Sequence, residues 1–183
     1  MTIYSEKHSV TNYFKELSIV VLGVTIALIL GNMNENRKAE VKKKRAISLM
    51  LQELKDHQHT FKVAMAYQDT LLNDYADSLV HQKNYDVTLP KLSLNTSAYT
   101  FMIYNDVFND LHFRKATYIM GYYSDLKDLL DLETNLMEAI SNNAVNPDDP
   151  KSIDLIVFWV SQIYAFEEEQ LWMNKHLQAE LEK

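Results

Sequence analysis

The sequence predicts an all-α protein: one N-terminal transmembrane helix that continues into a long helix and a roughly four-helix bundle. Three observations carry this. Leu17 to Leu30 is an uncharged run, LSIVVLGVTIALIL. Only three Gly and three Pro interrupt the chain. Beyond Asn34, apolar residues recur at the three-four spacing of a helix face. The implied organisation is a tail over 1–12, a membrane-spanning helix over 13–33, and a helical soluble domain over 34–183 that opens with a basic segment at 37–45.

The uncharged run alone is shorter than the ~20 residues that a spanning helix needs. With its neighbours, Tyr13 to Met33 reaches ~31 Å at ~1.5 Å per residue, against a hydrocarbon core of ~30 Å. Tyr13 and Phe14 suit one interface, Lys15 extends its amine outward along its apolar stem, and Asn32, Asn34, Glu35 and Asn36 mark the other. Ten Leu, Ile and Val residues between 17 and 30 favour insertion by about 3–6 kcal/mol. A cleaved signal peptide needs small residues in an A-x-A pattern, and Ile29 spoils both candidate positions. A helix buried in a soluble domain is rarely apolar on every face. The anchor is the expectation.

Within it, Gly23, Ala27 and Gly31 recur at i, i+4 and i+8, a small-xxx-small strip that lets a second helix approach closely. Ordinary membrane-helix composition is the competing explanation. Glu16 stands at the membrane edge, where a carboxylate needs hydration or a partner such as Lys15.

Residues 16–28, ELSIVVLGVTIAL, followed by Asn32-Met33-Asn34-Glu35-Asn36-Arg37-Lys38, resemble the signature of an uncharacterised family of Bacteroidota single-pass membrane proteins. Its members share a GE-x-x-x-VxxGxxIAL…NNWNExRK block ahead of a helical domain of unknown function. The resemblance covers residues 13–45 well and the rest loosely, through helical character and the Tyr122-Tyr123 pair. Lys15, Ile29 and Met33 depart from it, and Ile29 removes a polar Gln that bonds across helices. The resemblance implies a bacterial inner-membrane location and a domain on the periplasmic side, and it implies no activity.

Charge is divided. Residues 1–45 hold eight Lys/Arg and four Asp/Glu, and residues 46–183 hold ten and twenty-one, so the net values are +4 and −11. An acidic domain repels nucleic acid, which is not an expected partner. Arg37, Lys38, Lys42, Lys43, Lys44 and Arg45 follow the anchor directly, where anionic headgroups attract them at ~1 kcal/mol per charge. By the positive-inside rule these cations favour a cytoplasmic domain, against the side implied by the resemblance. The absence of Cys excludes disulfides and thiolate zinc sites.

Past the anchor the helix is expected to continue to about Asn84. Ile47, Met50, Leu54, Phe61, Ala64, Leu71, Tyr75 and Leu79 recur on one stripe, with His57 and Gln68 at its two remaining positions. A coiled coil and a helix packed in a bundle both satisfy that stripe, and the wide apolar face around Leu49, Leu51 and Leu72 favours the bundle. Residues 82–96 read as a loop around Pro90. Ser97 to Ile140 is helical and aromatic-rich, with a break expected near His112 or Gly121 and an amphipathic helix over SDLKDLLDLETNLMEAI. The turn Asn142 to Ser152 follows, with Asp149 or Ser152 as the next cap. Ile153 to Leu181 closes the chain, expected as a centrally buried helix.

Little in the chain suggests catalysis. Glu53 and His57 stand four apart with His59 nearby, a spacing that seats metals, yet a di-iron bundle needs Glu-x-x-His and none occurs. Asp125, Asp128 and Asp131, and Glu167 to Glu169, read as solvated faces rather than acid–base pairs. Arg114 and Lys115 read as partners of the acidic helices, and the Tyr and Phe excess over 99–123 as core rather than pocket lining. No cofactor or metal is expected. The expected function is a membrane-anchored, non-enzymatic interaction or scaffold subunit, a homo-oligomer or a partner of another membrane protein. A periplasmic helical sensor or ligand-binding module is the alternative.

Overall fold

The computed structural model describes residues 10–81, 92–142 and 149–183, and among them every regular element is helical. Four α-helices follow one another: α1 (Val10–His81), α2 (Ser97–Tyr104), α3 (Phe113–Ser141) and α4 (Pro150–Leu181), with a short 3-10 turn at Val107–Asp110. The chain divides into two compact units, Met1–Lys42 and Lys43–Lys183. Most of the expected 1–12 tail, the loop around Pro90 and the centre of the turn before α4 lie outside the described residues.

In the first unit, one window of α1 is long and apolar enough to cross a membrane. A core helix of a soluble protein meets the same criterion but is buried, whereas 0% of this window is. Every residue from Tyr13 to Met33 is exposed. The two hydroxyl groups of the uncharged run, Leu17 to Leu30, are satisfied inside the helix: Ser18 Oγ donates to the Phe14 carbonyl at 2.7 Å and Thr25 Oγ1 to that of Val21 at 2.8 Å. The apolar run thus presents no unpaired hydroxyl to its surroundings.

The second unit is a bundle of three long helices and the short α2. On α1 the stripe anticipated from periodicity turns inward: Met50, Leu54, Phe61, Ala64 and Leu71 are buried, joined by Ala46. Ile119, Tyr122, Leu126, Leu129 and Leu136 of α3, and Ile156, Val160, Ile163, Leu177 and Leu181 of α4, join the core, as do Leu92, Ala98, Met102, Val107 and Leu111 from the chain between α1 and α3. Cross-helix bonds fix the directions. Leu54, Gln68 and Tyr75 of α1 pair with Asn174, Glu167 and Asp154 of α4, so these helices are antiparallel. Arg114 near Glu180 makes α3 antiparallel to α4 as well. Hence α1 and α3 are parallel, and the chain between them must travel back along the bundle. The segment from Leu92 through α2 is part of that return.

The helix boundaries have local causes. Asp106, at φ 55°, turns the chain in the left-handed region and separates α2 from α3. Of the two places where a break was expected, His112 and Gly121, it falls at the first: α3 begins where the His112 side chain accepts the Arg114 amide, and Gly121 lies within the helix. Asp149 caps α4 as anticipated, accepting from Ser152 N at 3.1 Å and Ser152 Oγ at 3.0 Å, with Pro150 in the first turn. Asp149→Ala is expected to cost about 1 kcal/mol, a fall of ~2–4 °C in Tm. A thermal melt of the full chain reads it.

The expectation of a centrally buried α4 needs correction. Its apolar start is two-sided: Ile156 and Val160 enter the core, while Leu155 and Phe158 remain 44% and 56% exposed. Trp172 continues the outer face at 60%. Three long helices leave each with a solvent side, and only a bundle with a further layer encloses a helix fully.

Candidate functional site

An unusual density of polar side chains lies inside the bundle. Glu53, His57 and Gln68 of α1, Glu133 of α3, and Glu167, Gln170 and Asn174 of α4 are all buried. Each falls on its helix's inward stripe. Buried groups of this kind require partners, and three of the partners here are backbone atoms of the returning segment.

Glu53 is the clearest case. Its Oε2 accepts the Ala98 amide at 2.8 Å, in the first turn of α2, where Thr96 provides no side-chain cap. A carboxylate from another helix therefore caps α2. The other oxygen accepts the Tyr123 hydroxyl, which lies 3.1 Å from Met50 Sδ. Glu133 acts similarly further along, its Oε1 accepting Leu92 N at 2.6 Å.

His57 stands between them, and its protonation follows from its partners. Nε2 lies 2.5 Å from the Asn95 carbonyl, which can only accept, so Nε2 carries hydrogen. Nδ1 is 2.9 Å from Tyr122 Oη, and that hydroxyl already receives Asn174 Nδ2 at 3.1 Å. The arrangement closes when Tyr122 donates to a neutral imidazole. Burial accordingly lowers the His57 pKa, opposed by the Asn95 carbonyl and by Glu53 and Asp56. The Tyr122 and Tyr123 hydroxyls are pushed well above the usual tyrosine range, chiefly by burial. Asn174 uses its second hydrogen on the Leu54 carbonyl at 2.9 Å and accepts Gln178 Nε2 at 2.6 Å. One side chain thus joins all three long helices.

Chemically, this cluster positions backbone. Both nitrogens of His57 are occupied, so it has no free lone pair for a substrate proton, and Glu53 is committed to an amide and a phenol. His59 is exposed on another face of α1. Among the described residues no group of three His, Asp or Glu is placed to hold a metal.

The residues singled out from sequence lie elsewhere. Gly23, Ala27 and Gly31 are exposed, and a Cβ added at Gly23 or Gly31 would meet nothing within 4 Å. Glu16 is exposed, as are Arg37, Lys38, Lys42, Lys44 and Arg45, whereas Lys43 is half-buried. Arg114 does face an acidic helix, its Nε 3.7 Å from Glu180 and its guanidinium 5.5 Å over the Tyr118 ring. Of the aromatics, Tyr122 and Tyr123 are core, while Tyr104 and Phe113 are exposed. Asp128 and Asp131 are solvated as expected.

Glu167 is not solvated. It is fully buried, contrary to the reading of Glu167 to Glu169 as a surface run. The signal was present in α4: Ile156, Val160, Ile163, Glu167, Gln170, Asn174, Leu177 and Leu181 keep an unbroken three-four alternation. The same spacing places Glu133 between Leu129 and Leu136 on α3. No protein-family model, curated protein or solved structure matches this chain significantly.

Proposed function

We propose that the chain is a membrane-anchored, non-enzymatic interaction or scaffold subunit, self-associating or docked on a larger inner-membrane assembly. The observation that carries this reading is the wholly exposed apolar face of residues 13–33, with its Gly23, Ala27 and Gly31 strip open on all sides. An uncovered strip of small residues in an apolar helix favours close contact with another helix. Glu53 and His57, both committed to holding backbone of the returning segment, argue in the same direction. Arg37, Lys38, Lys42, Lys44 and Arg45 fit contact with anionic lipid headgroups. The anchor block's resemblance to the Bacteroidota family supports the inner membrane and a domain on its periplasmic side, while the flanking cations favour the opposite side. A cysteine introduced at exposed Glu182 and probed with an impermeant thiol reagent on intact cells decides between them.

Gly23→Ile combined with Gly31→Ile should move the gently solubilised protein to a smaller species on size exclusion with light scattering. An unchanged mass counts against the strip as a packing face.

A second reading, a helical sensor or ligand-binding module, is favoured by one feature. A cleft of about 280 Å³ lies between α3 and α4, walled by Tyr118 and by Trp172 stacked on His176, with Arg114 and Glu180 on its lining. A ligand there should raise Tm in proportion to RT ln(1 + [L]/Kd), whereas a scaffold shows no such response to a small-molecule panel.

A further inference from the structure

One layer of the core is left electrically incomplete. Gln68, Glu133, Glu167 and Gln170 occupy it, from α1, α3 and α4. Gln68 Nε2 donates to Glu167 Oε1 at 3.0 Å. Gln68 Oε1, Glu167 Oε2 and Gln170 Oε1 are buried and have no hydrogen-bond partner. All three are acceptors. An ionised carboxylate adds to that excess, whereas a carboxylic acid supplies a donor to it. The geometry therefore suits a protonated Glu167. The charged group facing it is Glu133 of α3; α1 presents the neutral Gln68 amide, and the next inward residue of α4 is the neutral Gln170. Burial first, then Glu133, pushes its pKa up to about 8, against the opposing Gln68 bond.

Glu133 is also a holding group. It accepts the Leu92 amide at 2.6 Å, at the start of the described part of the return segment. His57 holds the same segment at Asn95 and Glu53 holds it at Ala98. Beside Glu133 lies a surface cleft of about 390 Å³, lined also by Thr134, Met137, Glu138 and Ser141.

We propose that residues 92–98 form a proton-controlled strap: deprotonation of Glu167 sets a second carboxylate charge beside Glu133 in the core, disturbs its hold on Leu92, and frees that end of the strap. The His57 and Glu53 contacts keep the other end in place. Because the folded state binds this proton more tightly than the unfolded chain does, its stabilisation is complete below the unfolded carboxylate pKa. It is lost as pH rises towards about 8. The strap therefore loosens on the alkaline side. His57 works in the opposite sense: its lowered pKa makes stability fall as pH drops below the usual imidazole range.

The test is hydrogen exchange by mass spectrometry on the full chain in detergent, from about pH 7 to about pH 9, corrected for the intrinsic rate. Protection of the peptide over 92–96 should fall roughly tenfold or more across that range, while that of 170–177 in α4 holds. Glu167→Gln, neutral at every pH and nearly isosteric, should abolish the fall. Flat wild-type protection over 92–96 overturns the proposal, and so does a fall of equal size in α4. An undiminished fall in Glu167→Gln also overturns it. Should that variant not fold, the wild-type comparison of the two peptides still decides.

Discussion

Glu53→Ala is expected to lower the stability of the helical domain by about 3 kcal/mol, because it leaves a buried amide and a buried phenol without their acceptor. The amide is that of Ala98, at the start of α2, and no side chain of that turn replaces the carboxylate. The phenol is Tyr123, which retains only the weak acceptor Met50 Sδ. A loss of that size is ~6–12 °C in Tm for a domain of this length. Glu53→Gln separates the hydrogen bonds from the charge. Its amide oxygen can still accept from Ala98, and its nitrogen can donate to the Tyr123 oxygen, so a loss of only about 1 kcal/mol is expected. Thermal and urea melts of both variants check this. If Glu53→Ala matches the wild type, Glu53 is not the cap of α2.

The second large effect concerns the apolar segment. Leu22→Arg together with Ile26→Arg should release the protein from membranes into the soluble fraction after alkaline carbonate extraction. Ten Leu, Ile and Val residues supply about 3–6 kcal/mol towards insertion, and each central Arg costs about 2.5–3.5 kcal/mol in addition to the residue it replaces. Two therefore reverse the sign. Leu22→Ala with Ile26→Ala, which shortens side chains without adding charge, should remain in the pellet. Equal retention of the Arg variant would show that something other than residues 13–33 holds the protein at the membrane.

Periodicity made the architecture legible wherever a stripe was apolar. Met50, Leu54, Phe61, Ala64 and Leu71 stand where their spacing placed them, with His57 and Gln68 beside them in the core. The cap of α4 was legible as Asp149 or Ser152, both in the turn preceding an apolar run, and the chain uses Asp149. The buried acids were harder. Glu167 opens a run of three glutamates, and such a run reads as a wet surface because charges are seldom buried. In α4 the helical phase outweighs that composition, and only Glu167 of the three faces the core. Of the two candidate breaks, His112 and Gly121, the chain uses His112: a glycine in a helix costs about 1 kcal/mol, too little to break α3 when Ile119, Tyr122 and Tyr123 pack on either side of it. Least legible were the partners themselves. Glu53, His57 and Glu133 bind the backbone of Ala98, Asn95 and Leu92, and a backbone amide or carbonyl leaves no mark in a sequence. Parallel α1 and α3 explain why such groups are needed. The chain must return along a packed bundle, and each exposed backbone group that it brings inward requires a bond.

The native mass of the full-length protein, extracted gently from its own membrane with its co-purifying chains identified, bears most directly on the proposed role. A homo-oligomer or a fixed stoichiometric partner, dissociated by Gly23→Ile with Gly31→Ile, is the expected result. A lone monomer in the same extract would contradict the scaffold reading and leave the Tyr118 and Trp172 cleft as the stronger guide to function.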